Sequence, residues 1–500
     1  MPHAVVIGGG VAGLAITHAL VRDGWRVTVL ERDATPLPRT AVEAFERWNR
    51  RGAPQVLHSH AFLARLRNGL RDRAPDLLES LLAHGAYEIR ITDALPATMA
   101  DRAARPGDED LVLLGCRRTT FEWVLHCAAR EEAVVTWRDG TTVLGLEVAT
   151  GSPAPTPPRV VGVRMRAAGG VAESLRGDVV IDASGRRSAL PAWLMASGIS
   201  TPREESEDCG IFYSSRFYRL LPGASEPPRE GPIGADLGYM KFAIFNGDSR
   251  IFSVTLAASP EDAPLRKVLH PGPFEAAARA IPAIRAWLEP GRSEAITGVH
   301  GMASLRNRRR RFVVEGRPVA LGLHVIGDAA ICTNPLYGRG CTLAFVHAWL
   351  LADALRAHGD DAESCALELD AGTRHEIVPW YKAALGQDRE AREVAAEQRR
   401  ATIAGGVAAH TAGPQPVDPK AFMRSVLREG LLPALRTDAT VLRAFLRNFN
   451  LLETPDSLLS NGDVMRRVLA AWQERDQRVA DAPLGPGRDE MVRLLEHVAA

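Results

Sequence analysis

Three short blocks of glycine and carboxylate carry the chemistry that this chain announces. The first is Gly8-Gly9-Gly10-Val11-Ala12-Gly13. An apolar run, His3–Ile7, precedes it, and a helical pattern follows to about Asp23, where Gly24 stops it. Trp25–Leu30 then reads as a second strand ending in Glu31. In such a βαβ unit Gly8 permits a tight turn, Gly10 lets a pyrophosphate reach the backbone, and Gly13 lets the helix pack close to the strand. The helix N-terminus adds free N–H groups and a partial positive charge. Ala12 completes the cradle. Glu31, 18 residues after Gly13, can accept both ribose hydroxyls, and Arg32 lies beside it. This is a dinucleotide site, and the block alone does not choose between NAD and FAD.

The second block is a buried strand, Asp178–Ile181, that runs into Asp182-Ala183-Ser184-Gly185-Arg186-Arg187-Ser188. The third is the apolar strand Pro318–Ile326, then Gly327-Asp328-Ala329-Ala330, then Asn334-Pro335-Leu336-Tyr337-Gly338-Arg339-Gly340, then an apolar helix over Cys341–Ala357. A carboxylate at a strand end, followed by a glycine turn into a helix, again directs an anion.

With these blocks in this order the chain resembles the FAD-dependent aromatic-hydroxylase superfamily, the single-component (group A) flavoprotein monooxygenases, from about Met1 to Ala357. The resemblance implies FAD. It puts Asp328 on the ribityl chain and Pro335, Gly338 and Gly340 beside the isoalloxazine ring. The helix beginning near Cys341 would aim its positive end at that ring. Arg118 would contact FAD, with Arg117 as the competing choice, and Asp182 and Gly185 form the second motif. Arg51-Gly52-Ala53-Pro54-Gln55, His58-Ser59-His60 and the Asn334–Gly338 turn are similar, more narrowly, to the flavin epoxidases of polyether antibiotic biosynthesis and their hydroxylase relatives. The chain departs from them at Arg339 and Cys341, where Gln and Met are expected.

The implied reaction takes NAD(P)H as a transient co-substrate and O2. Through a flavin C4a-hydroperoxide it epoxidises or hydroxylates a small apolar organic substrate of secondary metabolism. A flavin dehydrogenase or reductase that inserts no oxygen is the alternative, and a non-catalytic flavoprotein is a further one. The Trp-x-Trp-x-Ile-Pro motif and N-terminal lysine of flavin halogenases are missing, the first lysine being Lys241. No acid or base is assigned. His60, Tyr239 and Tyr337 are the candidates near the expected pocket. His58 and His60 lack a third ligand, so no metal is expected.

The elements that must position these residues are α/β. A Rossmann-like FAD-binding domain is expected over 1–85, 107–190 and 300–370, interleaved with a β-sheet substrate domain over 86–106 and 191–299. A helical region follows over 371–500. Ala133–Trp137, Thr141–Thr150 and Val160–Ala167 read as a meander, broken by the Pro-rich loop Ser152–Pro158, and Gly405–Pro419 reads as a linker. Ile211–Leu220, Tyr239–Asn246 and Arg250–Leu256 read as strands of a sheet over the flavin. Their aromatics Phe212, Tyr213, Phe217, Tyr218, Tyr239, Phe242 and Phe245 divide between core and pocket. Arg306–Arg311 reads as a solvated connection or as a dock for NAD(P)H phosphates.

Composition agrees. The chain has 500 residues, 46% hydrophobic and 24% charged, with a net charge of +1. That is globular composition, and no basic excess points to nucleic acid. Of 61 basic residues only Lys241, Lys267, Lys382 and Lys420 are lysine, so 61 − 4 leaves 57 arginines. The six cysteines include no CxxC pair, which fits a reducing cytoplasm. Ala4–Val21 is apolar, but its glycines make it a strand–turn–helix, so no membrane span is expected. A monomer or homodimer is expected.

Overall fold

The computed structural model describes residues 1–95, 99, 101–149, 157–228, 233–403, 419–478 and 483–498. Most of the Pro-rich loop Ser152–Pro158 and of the linker Gly405–Pro419 lies outside them.

Five short apolar strands form one parallel sheet in the order 323–325, 179–182, 3–7, 26–30, 135–138. A parallel sheet must be covered on both faces, and the side-chain alternation shows how. Ala4, Val6, Val27, Val29, Val179 and Ile181 pack with the helices Val11–Arg22, Arg118–Glu131 and Gly340–His358. Val5, Ile7, Leu30 and Val180 pack with an antiparallel meander. That meander is Thr141–Val148, Val160–Ala167 and Ala172–Arg176. The strand expected within it at Ala133–Trp137 instead forms over Val135–Arg138 and edges the parallel sheet beside 26–30. The helix Arg118–Glu131 just before it supplies the crossover that a parallel strand needs.

A second sheet carries the expected strands as Phe212–Leu220, Met240–Asn246 and Ile251–Ala258, with short strands 234–236, 293–295 and 300–302. Phe212, Tyr218, Phe242, Phe252 and Val254 point to a core closed by the helices Pro271–Ala280 and Arg488–His497. The alternate residues Tyr213, Ser215, Phe217, Ser253 and Thr255 point the other way, and Phe245 joins them because it pairs with Ser253. Period-2 alternation thus divides the aromatics between core and opposite face.

The arginine run is a strand, Arg306–Arg311, antiparallel to Arg203–Asp208. The partner's sequence, Arg-Glu-Glu-Ser-Glu-Asp, explains why. Arg310 pairs with Glu204 at 2.8 Å, Arg311 pairs with Glu205, and Arg306 donates to Ser206 Oγ at 2.8 Å. The run is therefore largely committed internally, and the solvated-connection reading fails.

The described residues after 361 form helices joined by short turns, with no strand among them. The segment 419–473 has its own core of Val426, Val441, Val464 and Val468. No helix among the described residues is long and apolar enough to cross a membrane.

Candidate functional site

The first glycine block forms the strand-to-helix turn that the sequence implies. Gly8 sits at φ +100, where L side chains are strained. A Cβ on Gly13 would lie 1.9 Å from the Gly8 carbonyl oxygen, so helix and strand meet only through glycine. Gly10 faces open space, with nothing within 4 Å of a built Cβ. The helix Val11–Arg22 has no side-chain cap and no acid in its first turn. Ala12 packs beneath Gly327, its Cβ 2.7 Å from the position a Gly327 Cβ would take, so the first and third blocks touch. The helix Gly340–His358 repeats the pattern: it too is uncapped, and Gly340 has nothing within 4 Å. Two helices thus present free N–H groups from glycine termini.

Glu31 is buried at the end of its strand. Its Oε2 accepts from Gly9 N and its Oε1 from Asp33 N, both at 3.0 Å. Arg32 is exposed. Arg50, which no motif marks, enters this corner. It donates to Gly9 O at 3.0 Å and stands 3.4 Å from both Glu31 and Glu122. His126 Nε2 also meets Gly9 O at 2.9 Å. Arg50 Nε, Glu122 Oε2 and His126 Nδ1 are buried without hydrogen-bond partners. Orphaned polar atoms of this kind call for a partner, and a polar ligand beside Gly9 would supply one.

The structure separates the two arginines at the start of the helix Arg118–Glu131. Arg117 is spent on Asp248, donating from Nε at 3.0 Å and Nη2 at 2.5 Å, which ties the second sheet to the first domain. Arg118 Nε donates to Glu122 at 2.5 Å, and Nη1 donates to Cys341 Sγ at 3.0 Å. The same Nη1 lies 3.1 Å from His60 Nε2. Since arginine only donates, His60 Nε2 accepts, and its Nδ1–H is left to donate to His58 O at 3.0 Å. Burial, then the charge of Arg118, push the His60 pKa down to about 3. His60 is thus a neutral link between Arg118 and the 58–60 loop, not a proton carrier near neutral pH.

Asp182 is fully buried, and Ser184 and Ser188 both donate to it at 2.5 Å. It braces the turn in which Gly185 sits at φ +80. Asp328 is about one-third exposed (34%) and pairs with Arg186 at 3.1 Å. Beyond it a buried network locks the third block. Asp388 accepts from Asn307 at 2.6 Å, Asn334 at 2.8 Å and the Tyr337 hydroxyl at 2.7 Å. Pro335 and Gly338 are held in that turn, with Gly338 at φ +67 and lying against Ala61. Arg339 is stacked between Tyr337 and Trp380, 5.0 and 4.8 Å from their ring centres. Tyr239 stands apart from this group, its hydroxyl donated to Pro486 O at 2.8 Å.

The hydroxyl of Tyr337 is therefore a brace. Tyr337→Phe should cost about 1–1.5 kcal/mol of stability and leave turnover within about threefold, roughly 0.7 kcal/mol of barrier. Melting curves and rates measured on the same preparation check both.

Opposite the turn, the second sheet presents a hydroxyl-lined face. Ser59 meets Ser253 and Thr255, each at 2.7 Å, and His58 Nδ1 meets Ser215 at 3.2 Å. Leu336 of the turn packs with Tyr213, Ala257 and Met302. The turn, the 58–60 loop and this sheet face converge.

The open glycine at two uncapped helix termini, the half-buried Asp328 after a strand end and the orphaned atoms around Gly9 fit a dinucleotide lying across the first and third blocks. Residues 6–66 match the family model described as an NAD(P)-binding Rossmann-like domain. Protein Rv3254 of Mycobacterium tuberculosis (strain ATCC 25618 / H37Rv) is 28% identical over 477 residues, covering 90% of each chain. Among solved structures, PqsL, a probable FAD-dependent monooxygenase from Pseudomonas aeruginosa, is 18% identical. It superposes with a TM-score of 0.54 over 80% of this chain and 99% of its own. CndH, the myxobacterial chondrochloren halogenase, gives 18% identity and a TM-score of 0.54 over 97% and 98%. OxyS, the anhydrotetracycline hydroxylase of Streptomyces rimosus, gives 19% and 0.52 over 91% and 76%.

Proposed function

We propose that this chain, which has the fold of the FAD-dependent monooxygenases and halogenases, holds FAD and uses NAD(P)H and O2 to hydroxylate or epoxidise a small organic substrate. The observation that carries the reading is the pair of open, uncapped glycine helix termini, Gly10 and Gly340, joined through the Ala12–Gly327 contact. One suits a pyrophosphate and the other the polar edge of a ring. Asp328 would hold the sugar-alcohol chain between them. When bound, FAD accepts hydride and activates oxygen.

The chain's own residues bind, orient and exclude water. Arg118, fixed by Glu122, His60 and Cys341, places a fixed positive charge beside the start of the helix Gly340–His358. Asp388, through Asn334 and Tyr337, holds the turn rigid. The substrate would lie between that turn and the face of Tyr213, Phe217 and Phe245. The hydroxyls of Ser59, Ser215, Ser253 and Thr255 are turned on one another, so the face offers carbon more than competing donors. An alkene or phenolic ring suits it.

A reductase without oxygen insertion is the rival class. Purified protein reconstituted with FAD, supplied with NADPH and 18O2 and offered a panel of polyenes and phenols, separates the two. One 18O atom per product molecule is expected. Product free of label, formed with NADPH consumption, would overturn the reading in favour of the reductase.

A further inference from the structure

Behind the strand Leu323–Val325 that leads into Asp328 lies a cavity of about 50 Å3, between the arginine strand Arg306–Arg311 and the helix Ala362–Glu376. Its charges do not balance. Arg309, Arg310, Arg311 and Asp370 line it. Arg310 is paired with Glu204, Arg311 with Glu205, and Asp370 with Arg374 at 2.9 Å. Arg309 is left over. It lies directly across from Glu205 in the strand register, yet Arg311 takes that carboxylate. Arg309 is 9% exposed, and among the described residues its guanidinium makes no hydrogen bond and no ion pair. Glu205, Asp370 and Tyr381 reach it only through longer-range electrostatics. The guanidinium, unpaired at the cavity wall, is free to take an anion, and its fork matches a carboxylate.

Phe312, Leu323, Val325 and Leu369 supply apolar wall. His324, also on the wall, is neutral, since burial lowers its pKa to about 4, so it adds no second charge. A water-sized sphere fills about 10–15 Å3 by this measure. The cavity therefore takes about four such groups, the number of heavy atoms in acetate.

The cavity also touches the machinery in front of it. His347, on its wall, accepts from Gly327 N at 3.2 Å through Nδ1, and its Nε2 meets Thr373 Oγ1 at 3.1 Å. From the same arginine strand, Arg308 donates to Asp328 O at 3.1 Å and Arg310 to Ala329 O at 3.3 Å. The back of the Asp328 turn is thus hung on the cavity wall.

We propose that this cavity is a regulatory site for a short-chain carboxylate of about acetate size. Its oxygens engage Arg309, its carbon lies on Leu323 and Leu369, and its occupancy stiffens the turn that carries Asp328. The site itself is independent of the proposed function; only its coupling to FAD rests on that reading.

The test follows thermal unfolding of the FAD-free, full-length protein in sodium acetate against sodium chloride at equal ionic strength. Acetate should raise Tm saturably, by about 2 °C or more. Arg309→Met removes the fork, and Ala366→Leu fills the cavity while keeping the fork. Each should abolish the acetate effect, and the second stands if the first fails to fold. Equal melting in both salts, or an acetate effect that survives the substitutions, overturns the site. With FAD added, saturating acetate should tighten FAD binding about threefold, and by reciprocity FAD should tighten acetate equally. Identical FAD affinity in both salts overturns the coupling. Absence of FAD binding in either salt, with the acetate shift intact, defeats the proposed function and leaves the site standing.

Discussion

The protein should lose most of its stability between pH 6.5 and pH 5. Five histidines, the buried His18, His58, His324 and His347 and the half-buried His60, have pKa values far below the usual 6.5 and are neutral. Burial, the largest cause in each case, lowers their pKa values to about 4, 4, 3, 4 and 3. The unfolded chain takes up protons at each near 6.5, while the folded chain refuses them until pH 3–4. The unfolded state thus binds more protons throughout that window, so stability is full above 6.5 and falls as pH falls. Each group contributes about 1.4 kcal/mol per pH unit. At pH 5 that is about 2 kcal/mol each and about 10 kcal/mol for the five, the size of a domain's whole stability. Carboxylates cannot mimic this loss. At Asp248, burial raises the pKa, but hydrogen bonds from Arg117 and Thr120 outweigh it and leave the value below its usual 3.8. Its contribution therefore disappears only below about pH 4. Urea unfolding at pH 8, 7, 6 and 5, with calorimetric counting of protons, measures the effect. At least five protons should be taken up on unfolding at pH 5, since burial also drives the pKa of His126 well below the usual 6.5. His324→Asn should reduce the slope by one group's share, at most about one-fifth. A Tm that stays level from pH 7 to pH 5 would refute the account.

The parts legible in the chain are those whose reasons are local. A strand, a glycine turn and a helix lie within thirty residues of one another in each block, and their spacing is enough to place Gly8, Gly13 and Asp328 where the structure has them. The alternation of the second sheet is equally local, which is why its strands are found to within about two residues of their bounds. What the chain conceals depends on partners far away. The run Arg306–Arg311 looks solvated until Arg203–Asp208 is laid beside it, about a hundred residues earlier. Asp388 sits in a stretch of alternating acids and arginines that reads as a wet helix face. It is buried because Asn307 and Asn334 need an acceptor at that point. Arg50 carries no motif because its role is to fill a corner made by three other segments, at Gly9, Glu31–Asp33 and Glu122. Arg117 and Arg118 are adjacent and chemically equal, and only the position of Asp248 tells them apart.

The dinucleotide reading is tested most directly by two glycines three residues apart. Gly10→Ala should leave the apo-protein's Tm within about 1 °C, equivalent to a few tenths of a kcal/mol. Gly10 has φ −83 and ψ −172, which alanine adopts freely, and its Cβ would meet no protein atom within 4 Å. The open space it enters is the one assigned to the pyrophosphate, so FAD affinity should fall about 100-fold, or 2.7 kcal/mol. Gly13→Ala is the opposite case. Its Cβ would stand 1.9 Å from the Gly8 carbonyl oxygen and 3.0 Å from its carbonyl carbon. These are backbone atoms, so no rotamer change relieves the clash, and the helix must move off the strand. Stability should drop by about 1–3 kcal/mol, and FAD affinity by about 1,000-fold or more, 4 kcal/mol, because the turn and both helix termini move together through Ala12 and Gly327. Equilibrium titration of FAD fluorescence, with Tm read on the same apo samples, gives both numbers for each variant. If Gly10→Ala binds FAD as the parent does, the space above Gly10 holds no phosphate and the reading fails there, whatever Gly13→Ala does. If both variants lose Tm equally, the turn serves folding rather than ligand. Only loss of affinity without loss of Tm at Gly10, beside loss of both at Gly13, agrees with a glycine kept for the ligand at one position and for the fold at the other.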